Sequence, residues 1–230
     1  MKVQRLRVTF SRGDQVKYIT HLDLMRLWER TLRRAGVDLD YSEGFTPRPR
    51  ISLGAPLAVG VTSSGELMDL FLSRRTSLRR FTEEVSRQLP PGIDILKVEE
   101  VGLGLPSLQS QVRWSDYQVE VTADRDPQEL QDALRRFLEA ESIPWEHLRD
   151  KEVRRYDIRA LVQDIRLDGH ADNAYRLAMR LRTDDTGTGR PEQVAAALGL
   201  PEPDRIHRQR LILAESSPAR EAWRRRGRFE

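Results

Sequence analysis

Apolar and polar residues change from a strand-like to a helical period near the start of the chain. Val3–Ser11 alternates with a period of two, which is typical of a half-buried strand with arginines on one face. In His21–Ala35 the apolar residues instead recur every three or four positions, which predicts an amphipathic helix. Thr20 can cap the start of this helix and Gly36 can end it. We therefore expect a strand followed by a helix whose outer side carries arginines.

The other patterned segments of the first half complete a recognisable order. Strands are predicted at Val16–Ile19, Val37–Tyr41, Ile51–Gly60, Glu66–Ser73 and Ile93–Val101, with a turn at Thr62–Gly65 and a helix at Leu78–Leu89. Apart from the short first segment, the order is strand, helix, strand, strand, helix, strand. This is the split βαβ order of a ferredoxin-like fold.

The second half repeats this order without residue-level identity to the first. Its predicted strands are Tyr117–Thr122, Trp145–Ile158, Tyr175–Arg182 and Ile206–Ala214, and its predicted helices are Pro127–Ala140 and Pro191–Leu198. We expect an α+β protein of two tandem ferredoxin-like units, each with an antiparallel sheet. The units are predicted at residues 1–106 and 111–215, followed by a basic, flexible tail at 216–230.

The amino-acid composition excludes several kinds of site on this chain. The 230 residues include no cysteine, which excludes disulfides, thiolate nucleophiles and cysteine-ligated iron-sulfur clusters on this chain. The four histidines are too scattered for a zinc site, so we expect no metal and no cofactor. No stretch reaches the roughly 20 apolar residues of a membrane span, and we expect a cytoplasmic protein. Arginine dominates the basic residues, which suits phosphate contacts but also fits a GC-rich coding sequence.

The densest basic cluster lies on the first predicted helix and in the loop after it. Arg26, Arg30 and Arg33 are spaced to form a line of about 10 Å on one helix face, which matches a phosphate backbone. The alternative is a solvated helix face with a Glu29–Arg33 pair. The candidate residues for binding nucleic acid or a partner are His21, Asp23, Arg26, Arg30, Arg33, Arg34, Gly44, Phe45, Pro47, Arg48 and Arg50.

The same region also allows the hypothesis of a catalytic site. His21 stands at a helix start close in sequence to Lys17 and Tyr18, and these side chains could supply acid-base groups for metal-independent phosphodiester cleavage. The sequence shows no nucleophile or oxyanion donor beside them, and a single histidine next to Asp23 is more often structural. We therefore assign no catalytic residue, and His21, Lys17 and Tyr18 remain candidates only.

Four runs in the first half resemble the radical SAM-linked proteins with the DUF2344 domain: Ile19–Arg26, Glu29–Ala35, Tyr41–Pro49 and Gly54–Gly60. The resemblance is dense over about the first 100 residues. In that family the domain is fused behind a radical SAM enzyme, often one with a cobalamin-binding segment, or is a separate protein encoded near one. The resemblance thus implies a radical SAM partner in trans that carries the iron-sulfur cluster.

Three positions depart from the family pattern, one of them Thr20, where the family often has serine. Thr46 and Arg48 stand where the family's loop usually has asparagine and histidine, and the missing loop histidine weakens any paired-histidine active site.

The first functional hypothesis is a non-catalytic accessory or substrate-presenting subunit for a radical SAM enzyme that acts on RNA. The second is an endoribonuclease-like enzyme, and the third is an adaptor for an acidic partner protein.

Overall fold

The structure is a computed structural model, and it describes residues 2–149 and 152–214. The predicted basic tail at 216–230 lies outside the described residues. The helices are α1 (His21–Arg34), α2 (Leu78–Ser86), α3 (Leu108–Gln111), α4 (Pro127–Glu139) and α5 (Pro191–Ala197). The strands are β1 (Gln4–Arg12), β2 (Ile51–Leu53), β3 (Thr62–Leu72), β4 (Ile95–Val101), β5 (Val112–Thr122), β6 (Pro144–Arg149), β7 (Glu152–Asp157), β8 (Val162–Ala171), β9 (Ala174–Asp184), β10 (Gly187–Thr188) and β11 (Arg205–Leu213).

Nine of these strands form one continuous sheet, and the expected mixed α+β class is confirmed. The strands pair in the order β10-β9-β5-β11-β3-β1-β4, while β2 also pairs with β3 and β8 with β9. Every described pairing is antiparallel except that of β3 with β11. The halves therefore share a sheet, a connection that the local sequence pattern did not predict.

The joint between the halves is short and tightly packed. His207 and Arg208 on β11 pair in register with Thr62 and Ser63 on β3. A Cβ atom added to Gly65 would lie 2.4 Å from the carbonyl oxygen of Gln209, closer than side-chain carbon atoms approach backbone. Only glycine therefore allows the two strands to meet at this point.

Each half has its own apolar core between strands and helices. In the first half Trp28 of α1 is fully buried against Phe10 of β1, with ring centroids 5.0 Å apart in an edge-to-face arrangement. In the second half Leu130 and Leu134 of α4 pack with Val119 of β5. The helix period that predicted α1 and α4 thus corresponds to their buried faces.

Several local predictions need correction. Val16–Ile19 is not a strand, since Asp14–Val16 forms a short 3-10 helix. Val37–Tyr41 contributes only isolated β-bridges. The predicted turn at Thr62–Gly65 is the start of β3. Trp145–Ile158 is not one strand but the β6–β7 hairpin, which forms its own two-stranded sheet. Val16–Ile19, Val37–Tyr41 and Thr62–Gly65 have only four or five residues, too few for periodicity to separate a strand from a turn.

Candidate nucleic-acid or partner interface

Helix α1 begins at the predicted His21 and ends at Arg34, one residue before the predicted Ala35. The Thr20 hydroxyl accepts a hydrogen bond from the Asp23 backbone N–H at 3.2 Å and donates to Asp23 Oδ2 at 2.7 Å. That hydroxyl, followed by other hydrogen bonds and the Arg26 guanidinium, holds the pKa of the Asp23 carboxyl below its ordinary value. Gly36 follows the helix with a φ of 66°, the left-handed conformation that stops a helix.

The arginines of α1 differ in their partners. Arg26 forms an exposed ion pair with Asp23 at 3.4 Å. Arg30, Arg33 and Arg34 are exposed, and within the described part of the chain none of them has an ion pair or a side-chain hydrogen bond. The alternative Glu29–Arg33 pair is not formed there. Three guanidinium groups on one helix are thus available to an outside anion.

Several arginines of the sheet, by contrast, are paired with carboxylates. Arg5 and Arg7 of β1 both donate to the Asp69 carboxylate, at 2.6–2.9 Å. Arg180 and Arg210 share Asp116 in the second half. Burial opposes ionisation of this carboxyl, but hydrogen bonds from the two arginines hold the pKa of Asp116 below its ordinary value. These arginines stabilise the sheet, so arginine content alone does not mark an interface.

A groove runs along one flank of α1. Its volume is about 480 Å³, and it lies between α1 and the chain that follows α2. Its lining residues are Ile19, Asp23, Leu27, Arg30, Arg34, Gln88, Leu89 and Pro90. The predicted line of Arg26, Arg30 and Arg33 is therefore divided, because Arg30 faces the groove together with Arg34. The apolar side of this groove was not predicted from the sequence, since Gln88–Pro90 meets α1 only in the folded chain.

The candidate loop is closed at its base and projects an aromatic ring. Tyr41 and Pro49 form a β-bridge, and the Ser42 backbone N–H donates to the Arg48 carbonyl oxygen at 2.8 Å. Arg50 pairs with Asp40 at 3.1 Å. The Phe45 side chain at the tip is fully exposed, so it does not belong to the core.

Other candidates in this loop are also at the surface. Gly44 has a φ of 120°, a conformation that favours glycine, and Pro47 and Arg48 are exposed. In the described part of the chain, no hydrogen bond or ion pair joins residues 41–49 to α1. Polar contacts therefore do not connect the loop to the helix.

Among the described residues, no hydrogen bond joins His21 to Lys17 or Tyr18, the other two catalytic candidates. Lys17 Nζ donates to Asp14 Oδ1 at 3.0 Å and lies 5.3 Å from the centre of the Tyr18 ring. The bond to Asp14 raises the pKa of Lys17. His21 is half-buried, and among the described residues its side chain has no hydrogen bond. Lys17 is therefore a charged lysine held by an aspartate, which is the wrong state for a general base.

Neither a metal-binding cluster nor a membrane-spanning helix is found among the described residues. No group of three or more His, Asp or Glu side chains there is arranged to hold a metal ion. None of the described helices is both long enough and apolar enough to cross a bilayer.

Some solved structures superpose on this chain over most of its length. A chain in the crystal structure of a Cbf5-Nop10-Gar1 complex superposes with a TM-score of 0.50 at 9% identity, over 91% of this chain and 49% of that one. A chain from an H/ACA RNP bound to a substrate RNA gives 0.46 at 10% identity, over 90% of this chain and 47% of that one. The protein thus spans about half the length of these chains. At such low identity the likeness is one of fold.

Comparison with curated proteins found no match. The sequence does match one family model, described as an uncharacterized protein conserved in bacteria (DUF2344), over residues 5–191. The matched range includes α1, the 41–50 loop and the strands of both halves except β11 (Arg205–Leu213). The chain therefore belongs to the DUF2344 family.

Proposed function

We propose that this protein is a non-catalytic accessory subunit that binds RNA on α1 and the 41–50 loop and presents it to a radical SAM enzyme. The observation that carries the proposal is the unpaired state of Arg30, Arg33 and Arg34, in contrast to the engaged arginines of the sheet. Guanidinium groups without a carboxylate can bind phosphate without first breaking an ion pair.

The 41–50 loop supplies a second kind of contact. An exposed ring such as Phe45, at the tip of a loop closed by backbone bonds, can stack on an unpaired base with little loss of loop entropy. Arg48 lies in the same loop and is exposed. Arginines beside an exposed ring are typical of surfaces that bind single-stranded nucleic acid.

We also infer that each half is a ferredoxin-like unit, divided near residues 103–110. The strand orders β4-β1-β3-β2 and β11-β5-β9-β8 support this, because both follow the split βαβ arrangement. The similar chain at a TM-score of 0.50 belongs to a complex of Cbf5, Nop10 and Gar1, which favours a role within an assembly. Fold likeness does not identify a ligand, so RNA rests on the arginine surface.

The radical SAM partner rests on the sequence resemblance. A chain without cysteine cannot ligate a cluster through thiolates, which fits a division of labour in which the partner carries it. The cytoplasmic location expected from the sequence belongs to the same proposal. An adaptor for an acidic protein is the second candidate, favoured by the exposed Tyr18 and Leu22 beside the start of α1.

Fluorescence anisotropy with labelled RNA tests the binding. In Arg30/Arg33/Arg34→Gln, we expect an affinity loss of at least tenfold and a salt slope shallower by roughly two, about 0.7 per lost phosphate contact. The matched control is Arg79/Arg87/Arg135→Gln, which removes the same charge from exposed arginines that already have carboxylate partners. An equal loss in both variants would show that only net charge matters.

An anaerobic pull-down from native cells tests the partner. Recovery of a radical SAM enzyme together with RNA, with the RNA lost in the α1 variant, is the expected result. Recovery of an acidic protein without RNA would favour the adaptor. Intact protein that recovers neither would contradict the accessory proposal.

A further inference from the structure

The groove beside α1 has the size and lining of a site for a single nucleotide. We propose that it receives one unpaired guanine, with the adjoining phosphate on Arg30 and Arg34, so that the RNA partner is single-stranded at this point. The inference rests on the proposed RNA-binding function and specifies its substrate.

The volume and apolar lining suit a base. About 480 Å³ lies within the range of small-ligand pockets and exceeds the volume of one nucleotide. Ile19, Leu27, Leu89 and Pro90 are all half-buried, so they present apolar surface at the groove without closing it. Such surfaces can contact the face of a base that has left its stack.

The charges are complementary to a nucleotide. Arg30 and Arg34 are four residues apart, so they stand on the same flank of α1, one above the other. Neither has a carboxylate partner among the described residues. A phosphate at this edge of the groove could therefore accept from both guanidinium groups.

The selective group is the carboxylate of Asp23. Its orientation is fixed by the Thr20 hydroxyl, which donates to Oδ2. Oδ1 accepts one long hydrogen bond from Arg26, at 3.4 Å, and can accept another. An ionised carboxylate only accepts hydrogen bonds. Guanine is the base that offers two adjacent N–H donors on its Watson–Crick edge, whereas uracil offers one and adenine and cytosine offer one amino group.

Base pairing would block this recognition. In a duplex the Watson–Crick edge of guanine is occupied, and the base is stacked inside the helix. A duplex could contact Arg30 and Arg34 through phosphates but could not place a base in the groove. The site thus predicts a preference for unpaired guanine over the same base in a duplex.

The experiment measures anisotropy with short oligouridines that carry a single central G, A, C or U, and with the G strand annealed to its complement. We expect the unpaired G strand to bind about tenfold more tightly than the others. Asp23→Asn should abolish the preference for G while retaining salt-dependent binding, because it replaces one acceptor oxygen with a donor. Leu27→Trp and Gln88→Trp fill the groove from opposite sides and should remove the same preference.

The outcomes separate this inference from the proposed function. Equal affinity for all strands, with binding still lost in Arg30/Arg33/Arg34→Gln, would overturn the guanine site and leave the RNA-binding function standing. Unchanged preference in both groove-filling variants would also overturn it, after circular dichroism has shown that they are folded. No binding of any RNA would overturn both.

Discussion

Arg208 on β11 and Glu66 on β3 form a buried ion pair across the joint of the two halves, although they lie 142 residues apart. Arg208 Nε donates to Glu66 Oε1 at 2.8 Å, and the side chains are 1% and 4% exposed. Burial opposes the charge of Arg208, but the Glu66 carboxylate raises its pKa above the ordinary value. Its remaining donors bind the carbonyl oxygens of Ala55 and Pro56.

Removing one member of this pair should destabilise the protein strongly. We expect Glu66→Gln to lower the free energy of unfolding by about 3–5 kcal/mol, because it leaves the Arg208 charge buried without its counter-ion. Denaturant unfolding followed by circular dichroism measures this. The double variant Glu66→Gln/Arg208→Met should cost less than the sum of the single variants. Additive losses would contradict a direct coupling.

A methyl group at Gly65 should separate the two halves. We expect Gly65→Ala to lower the free energy of unfolding by about 2 kcal/mol or more, since its Cβ would lie 2.4 Å from the Gln209 carbonyl oxygen. The matched control is Gly104→Ala, because a Cβ at Gly104 meets nothing within 4 Å. A similar result for both variants in chemical unfolding would show that the contact is not rigid.

His207 should make the stability of the joint depend on pH. Its Nδ1 lies 2.8 Å from Thr62 Oγ1 and its Nε2 lies 3.0 Å from Ser64 Oγ. Burial, followed by the nearby Arg205 guanidinium, lowers the pKa of His207 below 6.5. His207 therefore binds a proton more readily in the unfolded chain than in the folded one. The stabilisation that neutral His207 gives the fold is complete above its unfolded pKa and is lost as the pH falls through its folded pKa.

Urea unfolding between about pH 8 and pH 5 checks this dependence. We expect His207→Gln to flatten the curve over this window, because glutamine keeps hydrogen-bonding capacity but does not titrate. If His207→Gln loses stability on acidification as steeply as the parent protein, the pH dependence comes from other groups.

Phe45 should affect binding without affecting stability. Its side chain is fully exposed and contributes no core contact, so Phe45→Ser should change the free energy of unfolding by less than about 0.5 kcal/mol. The affinity for single-stranded RNA should fall about fivefold or more, from the loss of one stacked base. Phe45→Trp should retain binding. A loss of stability in Phe45→Ser would show that the ring packs on the protein.

The sequence by itself determined those features that depend on neighbouring residues. The alternating period placed β1, the helical period placed α1 and α4, and the capping residues Thr20 and Gly36 fixed both ends of α1. The period placed the α1 arginines on one side of the helix, whereas their exposure is seen only in the structure. The motif runs identified the family, which the match over residues 5–191 confirms.

Only the tertiary structure decided which arginines are free. Arg7 and Arg33 are chemically the same, but Arg7 is buried against Asp69, whereas Arg33 lies on an open helix face. The sequence also did not predict that β11 pairs with β3 or that Leu89 forms a wall of the groove. The physical reason is that periodicity records which side of an element is covered, while the identity of what covers it depends on contacts between distant residues.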